Sequence, residues 1–260
     1  MFFRLAGLGA LCLYLSSCYT VPETGRRSLN FISSEKELAL GVSAFSEIKK
    51  KEKISDDVEA TAMVNRVGKR IAQAVGDNIP NAEWEFVLFE NESVNAFALP
   101  GGKVGIYTGL LKVADTDEKL AIVMGHEIAH VTAKHGSERM SQSILVGLGG
   151  VGLAVAMDDE DSGTRNAAMA AYGVGATLGI MLPYSRLNES EADQIGIIYA
   201  ARAGYDPRVA IEFWTAMSES KEGKGGPPEM LSTHPSDATR IQRLKEFMPE
   251  AIAIFERGRN

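Results

Sequence analysis

The fold prediction starts from Leu120 to His130, which read LAIVMGHEIAH and set three polar side chains in a nearly unbroken apolar run. Such a run predicts a buried helix, and Asp115 is a candidate N-cap with Glu118 three residues later. On a helix, His126 and His130 stand one turn apart on the same face. The H-E-x-x-H spacing therefore lets two imidazole nitrogens reach one metal ion.

Glu127 follows the first histidine and lies one position round the same helix. There its carboxylate can approach the open position of a catalytic zinc and take a proton from the attacking water, whose pKa zinc lowers from about 15.7 toward about 7. The alternative is that His126 and His130 only pack in the core. We disfavour it because burying these three side chains without a partner is costly. The motif predicts one Zn²⁺ per chain, with Glu127 as general base.

A catalytic zinc needs a third protein ligand, which is predicted in the acidic stretch at residues 188–193, Asn-Glu-Ser-Glu-Ala-Asp. If this stretch is helical, Glu189 and Asp193 share one face. The small Ala192 and Gly196 lie on the same face and allow close approach to the motif helix. We therefore predict Glu189 as the ligand, and Asp193 as the hydrogen-bond acceptor of a zinc histidine's other nitrogen. Glu191 points elsewhere, as in an exposed acidic helix start.

Composition limits the possible functions of the chain. Its 260 residues are 45% hydrophobic and carry a formal net charge of -7, with the basic residues dispersed along the sequence. Nucleic-acid binding is therefore not expected. The absence of a phosphate-binding loop and of a G-x-S-x-G motif disfavours other hydrolase classes.

Residues 1–17 are predicted to be a signal peptide, because Arg4 is followed by a short apolar stretch. The stretch ends in Leu-Ser-Ser before Cys18, which resembles a bacterial lipobox and predicts lipid attachment at Cys18. A plain secretory signal with a chance cysteine is the alternative. Residues 18–33 are predicted to be a tether, and residues 34–260 a single domain. Tyr19 after the cysteine favours the outer membrane, facing the periplasm.

Two further regions are predicted to contribute structure. Strands are expected at Trp84–Phe89, Asn95–Leu99 and Val104–Thr108, the last two joined as a hairpin. The apolar runs 144–157 and 167–182 are each short for a membrane span. A membrane hairpin is one interpretation of these runs, but packing in a soluble core is favoured.

The sequence resembles the gluzincin metallopeptidases that include the HtpX heat-shock protease, the CAAX prenyl protease and the mitochondrial Oma protease. The resemblance runs from about Gly25 to Leu244. Besides the zinc-helix motif, its marks are Thr24-Gly25-Arg26-Arg27, Asn95-Ala96-Phe97, Pro100-Gly101-Gly102, Ser185-Arg186, Glu189-Ser190-Glu191-Ala192-Asp193, Gly204-Tyr205-Asp206-Pro207 and Ser232-Thr233-His234-Pro235. It implies an α+β, mainly α-helical, zincin-like domain with a small β-sheet and an edge hairpin. It also implies Glu189 as third ligand.

The resemblance adds expectations about His234 and about substrate binding. A histidine before proline lies near the active site in this family, where His234 would stabilise the oxyanion or occupy the open metal position. A helix cap or a surface position is the alternative, and a mobile segment at 218–229 would let it swing. The strand containing Asn95, Ala96 and Phe97 is expected to pair with an extended peptide. By contrast, His135 is interpreted as structural.

The predicted function is a zinc-dependent endopeptidase for unfolded or misassembled cell-envelope proteins. Its partners are such proteins and the membrane, reached through the lipid anchor. The alternative is a chaperone or assembly factor for envelope proteins in which zinc is structural.

Overall fold

The computed structural model describes residues 18–219, Met230, His234 and residues 238–259. The described chain divides into two compact units. The smaller unit comprises residues 18–34 and 134–187, and the larger one comprises residues 35–133 and the described residues after 187. Helices predominate and the sheets are small, which confirms the α+β, mainly helical fold class.

The helices of the described residues are α1 (Ser34–Lys51), α2 (Val58–Val75), α3 (Asp117–Thr132), α4 (His135–Ala156), α5 (Ser162–Ala176), α6 (Leu182–Arg202), α7 (Val209–Glu219) and α8 (Ala238–Arg257). A π-helical segment, Thr177–Met181, joins α5 to α6. The strands are β1 (Cys18–Thr20), β2 (Arg27–Leu29), β3 (Glu85–Phe89), β4 (Ala96–Leu99) and β5 (Lys103–Tyr107).

The larger unit contains a three-stranded sheet in the order β3–β5–β4. β3 pairs parallel to β5, and β4 pairs antiparallel to it, so β4 is an edge strand. The turn between β4 and β5 contains Gly101 and Gly102, with φ of 91° and 78°. Only glycine adopts such angles readily. The predicted hairpin is confirmed, with strand ends shifted by one residue.

An aromatic cluster packs beneath this sheet. Phe97 of β4 lies 6.3 Å from Phe45 of α1, 6.2 Å from Phe89 and 6.1 Å from Tyr107, measured between ring centroids. A Cβ at Gly105 would lie only 2.3 Å from the Phe97 ring. The side chain of Phe97 therefore packs β4 against α1 and the neighbouring strands.

Helix α3 is the buried helix predicted from the apolar run. Its N-cap is Thr116, whose hydroxyl accepts a hydrogen bond from the Lys119 amide at 3.3 Å. The prediction of Asp115 as cap is wrong, because Asp115 pairs with the Lys119 ammonium at 2.7 Å. Every side chain from Leu120 to Ala129 is buried.

The smaller unit combines β1 and β2 with α4, α5, the π-helical segment and the start of α6. Residues 18–33, predicted as a tether, contain the antiparallel β1–β2 pair. Arg26 makes two hydrogen bonds with the buried Glu138 of α4, at 2.8 and 2.9 Å. The Phe31 amide donates to Ser141 Oγ at 2.8 Å. These contacts hold the N-terminal segment against the first half of α4.

The apolar runs of α4 and α5 are mostly exposed, so the prediction that they pack in a soluble core is wrong. Exposure reaches 63% at Leu148, 71% at Val155 and 62% at Leu178. Both helical stretches, His135–Ala156 and Ser162–Arg202, are long and apolar enough to cross a membrane. The two helices α4 and α5 pack closely at glycines, because Gly149 and Gly150 of α4 adjoin the Tyr172 ring of α5.

Candidate metal centre

Four side chains of the larger unit converge on one point. His126, His130, Glu189 and His234 each offer one ligand atom, and these atoms all lie within 4.8 Å of one another. His126 Nε2 lies 3.2 Å from His130 Nε2 and 3.3 Å from Glu189 Oε2. His130 Nε2 lies 3.5 Å from Glu189 Oε1. The sequence-distant Glu189 is therefore beside both histidines of α3.

Helix geometry explains this convergence. His126 and His130 are one turn apart on α3, and Glu189 lies on α6. The two backbones touch, since a Cβ at Gly196 would lie 2.8 Å from the His126 nitrogen and one at Gly125 would lie 2.6 Å from the Gly196 oxygen. The predicted close approach of the two helices is confirmed at Gly196, which lies against Gly125 and His126 of α3.

The donor set fits a tetrahedral metal ion. Ligand atoms about 2.0–2.2 Å from a central ion are about 3.3–3.6 Å apart in a tetrahedron, close to the distances between His126, His130 and Glu189. Charge points the same way. Among the described residues of the site, the carboxylates Glu127, Glu189 and Asp193 outnumber the Arg240 guanidinium, so a bound cation would offset the excess negative charge. Imidazole and carboxylate ligands suit zinc.

Glu127 is buried beside the donor set with one oxygen unused. Its Oε1 has no hydrogen-bond partner among the described residues and lies 3.5 Å from His234 Nε2. Burial raises the pKa of the Glu127 carboxyl above its ordinary value. A buried carboxylate with a spare acceptor is poised to take a proton, since a raised pKa makes it a stronger base.

Asp193 orients the first histidine. His126 Nδ1 donates a hydrogen bond to Asp193 Oδ1 at 3.0 Å, which leaves Nε2 turned toward the other donors. Burial by itself would lower the pKa of His126, but hydrogen bonding to Asp193 and Glu189 raises it to about 9. Burial likewise opposes ionisation of Glu189, but His130 and the other imidazoles lower its pKa well below the ordinary value. A metal ion would compete with protons for these ligand atoms.

Arg240 of α8 was missed by the sequence reasoning. It is buried, donates to both Asp193 oxygens, one of them at 2.8 Å, and lies 3.3 Å from Glu189 Oε2. Its guanidinium carbon also lies 4.5 Å from the centroid of the Trp214 ring. Burial opposes the charge, yet Asp193 raises the pKa of Arg240 above its usual range. The signal available in the sequence was the excess of carboxylates at one buried site, which requires a cation.

His234 lies at the centre rather than at a surface. Its Nδ1 is 3.3 Å from His126 Nε2 and 3.1 Å from both oxygens of Glu189. The Arg240 guanidinium donates to the His234 carbonyl at 3.1 Å. The surface alternative for His234 is wrong. The predicted mobile segment 218–229 lies, apart from its first two residues, outside the described residues.

Other predicted residues lie elsewhere. Ala96 and Phe97 lie on β4, with Asn95 just before the strand. Cys18 begins β1 in the smaller unit, where His135 is fully buried. Glu191 is buried inside α6, so its assignment to an exposed helix start is wrong because α6 begins well before it.

Comparison with known proteins identifies the family of this chain. A model of Peptidase family M48 matches residues 59–248, most of the chain. The chain belongs to peptidase family M48. It is therefore a metallopeptidase, and the family implies a metal. The resemblance inferred from the sequence motifs is confirmed.

Individual M48 relatives have informative names. The chain is 32% identical to the "Mitochondrial metalloendopeptidase OMA1" of Schizosaccharomyces pombe, covering 92% of this chain and 68% of that protein. It is 30% identical to the "Beta-barrel assembly-enhancing protease" of Escherichia coli, covering 94% of this chain and 51% of that one. It is 32% identical to the "Metalloendopeptidase OMA1, mitochondrial" of Bos taurus, covering 98% and 51%. The chain thus spans about half the length of the last two relatives.

Proposed function

We propose that this M48 chain is a zinc-dependent endopeptidase that cleaves unfolded or misassembled proteins of the bacterial cell envelope. The observation that carries the proposal is the meeting of His126, His130 and Glu189 around one point, beside a buried Glu127 oxygen that accepts no hydrogen bond from the described residues. Packing alone gives no account of so many buried polar groups, whereas one divalent ion would satisfy them.

In the proposed mechanism, His126, His130 and Glu189 would hold the zinc. When bound, zinc supplies a Lewis acid that lowers the pKa of water and polarises the substrate carbonyl. Glu127 removes the proton from the attacking water and then delivers it to the leaving amine. The buried position of Glu127 supports this role, because burial raises the pKa of its carboxyl toward the working pH.

Asp193 and Arg240 support the ligands. Asp193 fixes the tautomer of His126, and Arg240 holds Asp193 through paired hydrogen bonds. Arg240 also offsets the negative charge of Glu189. These contacts would keep His126 Nε2 and the Glu189 carboxylate aimed at the same point before the metal arrives.

His234 is proposed to occupy the fourth donor position in a resting form and to move when substrate enters. Its Nδ1 approaches His126 and Glu189 as closely as the other donors approach one another. Once displaced from that position, its imidazole could donate to the oxyanion. The other imidazole nitrogen of His234, Nε2, lies 3.5 Å from Glu127 Oε1, which suits both roles.

Substrate is proposed to add as a strand to the edge of β4. The backbone of an edge strand binds an extended peptide with little sequence demand. This mode needs unfolded segments, which agrees with quality control. Two relatives are named for mitochondrial metalloendopeptidase activity and one for enhancing assembly of beta-barrels, and the bacterial name supports an envelope location.

The proposed location is the outer membrane, facing the periplasm. Residues 1–17 would be removed as a signal peptide, and Cys18 would carry the lipid. Cys18 stands at the start of β1. Intact mass of the purified protein tests this, because Cys18→Ser would lose the mass of the acyl groups.

Family membership favours a peptidase over the chaperone alternative, and one substitution tests the choice. Glu127→Gln should keep one zinc per chain by elemental analysis but slow casein cleavage about 100- to 10,000-fold, since the general base is lost. Glu118→Gln, on the same helix, is the matched control and should cleave normally. Wild-type cleavage by Glu127→Gln would refute the mechanism, and full complementation of a deletion strain by it would favour the chaperone.

A further inference from the structure

The smaller unit carries two helical legs without a single charged residue. The first comprises residues 143–157, which are the second part of α4 and its C-cap Met157. The second comprises residues 166–185, which run from α5 through the π-helical segment into α6. We call them the charge-free legs. Tyr172 donates to the Val146 carbonyl at 2.7 Å, so the legs pack on each other.

The charge-free legs are exposed instead of buried. Ile144, Leu148, Val151 and Val155 recur every three or four residues, which makes an apolar stripe along α4, and each is at least 46% exposed. In the most apolar window of each helical stretch, only 17% and 6% of residues are buried. The core-helix explanation therefore fails for both legs.

The lack of charge on every face identifies the partner. A helix that docks on another protein along one face keeps charged residues on the face left in water. The charge-free legs have glycine and alanine on those faces, as at Gly147, Gly152 and Gly175, where nothing lies within 4 Å. Helices that are apolar all round occur in large cores or in lipid.

Charged residues stand at both ends of the legs. The exposed Arg139 precedes the first leg, Asp158–Asp161 lie in the turn between the legs, and the exposed Arg186 follows the second. Charged groups are costly in hydrocarbon and remain at the membrane surface. The distribution is that of an apolar segment whose ends stay in water.

The predicted lipid-attachment residue, Cys18, lies on β1, whose partner strand β2 contacts α4. Cys18 is paired with Leu29 in the β1–β2 register. Leu29 lines a cavity of about 270 Å³ whose other walls include Leu145 and Ile180 of the two legs. A lipid on Cys18 would therefore emerge beside the apolar hairpin.

We propose that the charge-free legs contact the hydrocarbon of the bilayer that holds the lipid anchor, as a second membrane contact. The proposal rests on lipid attachment at Cys18 only for the identity of that bilayer. It deepens the proposed function, because a hairpin in lipid fixes the smaller unit at the membrane where envelope proteins assemble.

The test is fluorescence quenching by brominated lipid. Full chain carrying Leu148→Trp is reconstituted into vesicles of phosphatidylethanolamine and phosphatidylglycerol, with and without brominated phosphatidylcholine. We expect brominated lipid to reduce the emission contributed by the substitution at least twofold, above the background of Trp84 and Trp214. Val58→Trp, on α2 and 83% exposed, is the matched control and should not be quenched.

A second position guards against a local folding defect. Leu178→Trp, on the other leg, should be quenched like Leu148→Trp, and high salt should not reverse either result because the contact is apolar. Absence of quenching at both positions in vesicle-bound protein overturns the proposal. Pairing of the legs with a second copy of the chain would give that result. Normal Glu127-dependent casein cleavage in the same vesicles would show that the peptidase proposal survives. If the purified protein carries no acyl mass but both tryptophans are quenched, lipid attachment at Cys18 is refuted and the bilayer contact of the legs stands.

Discussion

Helices α3 and α4 are both apolar, yet they have opposite surroundings. α3 carries His126, Glu127 and His130 and is buried along most of its length. The second half of α4 carries no charge and is exposed. Hydropathy therefore did not decide burial in either helix. The neighbours decided it, since α3 is packed against β4, α2 and α7, whereas the legs of α4 and α5 pack mainly on each other.

The two histidines of α3 tolerate their surroundings because each lies beside a carboxylate. His126 faces Asp193, and Glu189 lies beside both histidines. Removing any one partner leaves an uncompensated group in a low-dielectric site. The exposed legs contain no such dependence, so equivalent substitutions in the two regions should differ widely in cost.

The largest difference is expected for an inserted charge. Val123→Asp, at a fully buried α3 position, should destabilise the fold by about 3–5 kcal/mol because the carboxylate has no partner. Leu148→Asp, on the exposed stripe of α4, should change stability by less than about 0.5 kcal/mol in water. Urea unfolding followed by circular dichroism measures both. Equal costs would mean that the legs are packed in solution.

Removing a buried cation is expected to have the next largest effect. Arg240→Met should cost about 3 kcal/mol and weaken zinc binding about 10- to 100-fold, since Asp193 loses its partner and His126 its support. Zinc affinity is read by competition with a chelating dye. The control Arg165→Met, in the hairpin of the smaller unit, removes an exposed ion pair 3.6 Å long and hydrogen bonds to the Met157 and Asp158 carbonyls, and should cost about 1 kcal/mol without changing zinc affinity. Unchanged zinc affinity in Arg240→Met would contradict its positioning role.

A methyl group added between helices tests the close approach of α3 and α6. Gly196→Ala should destabilise by about 1–3 kcal/mol, because its Cβ would press on the His126 backbone, and it should lower zinc content after dialysis. Gly175→Ala, on an exposed leg with open space around it, should be neutral or stabilising by about 0.5–1 kcal/mol. Thermal unfolding compares them, and a neutral Gly196→Ala would show that the helices can separate at no cost.

The smallest effect on stability is expected at His234. His234→Ala should leave one zinc per chain, because His126, His130 and Glu189 remain, and should shift the unfolding midpoint little. Casein turnover should nevertheless change at least about 10-fold, since the imidazole lies between Glu127 and Glu189. Zinc content and turnover that both match the wild type would remove His234 from the site.

Local patterns were enough for much of this protein. Helical periodicity places His126 and His130 on one face of α3 and Gly196 on the same face of α6 as Glu189. The sequence could therefore predict that these two faces meet. The β4–β5 hairpin was predicted because Gly101 and Gly102 permit the turn. By contrast, the cap of α3 was misassigned to Asp115, since Thr116 and Asp115 both suit a cap and only backbone angles separate them.

By itself the sequence determined that His126, Glu127 and His130 lie within about one turn of one helix, because residue order and helix geometry set that arrangement. Tertiary structure alone decided that Arg240 lies beside Asp193 and Glu189, that Glu191 is buried and that the charge-free legs are exposed. Those outcomes depend on which surfaces meet across long stretches of chain. Periodicity specifies the face of a helix, but the partner of that face depends on the packing of the whole fold.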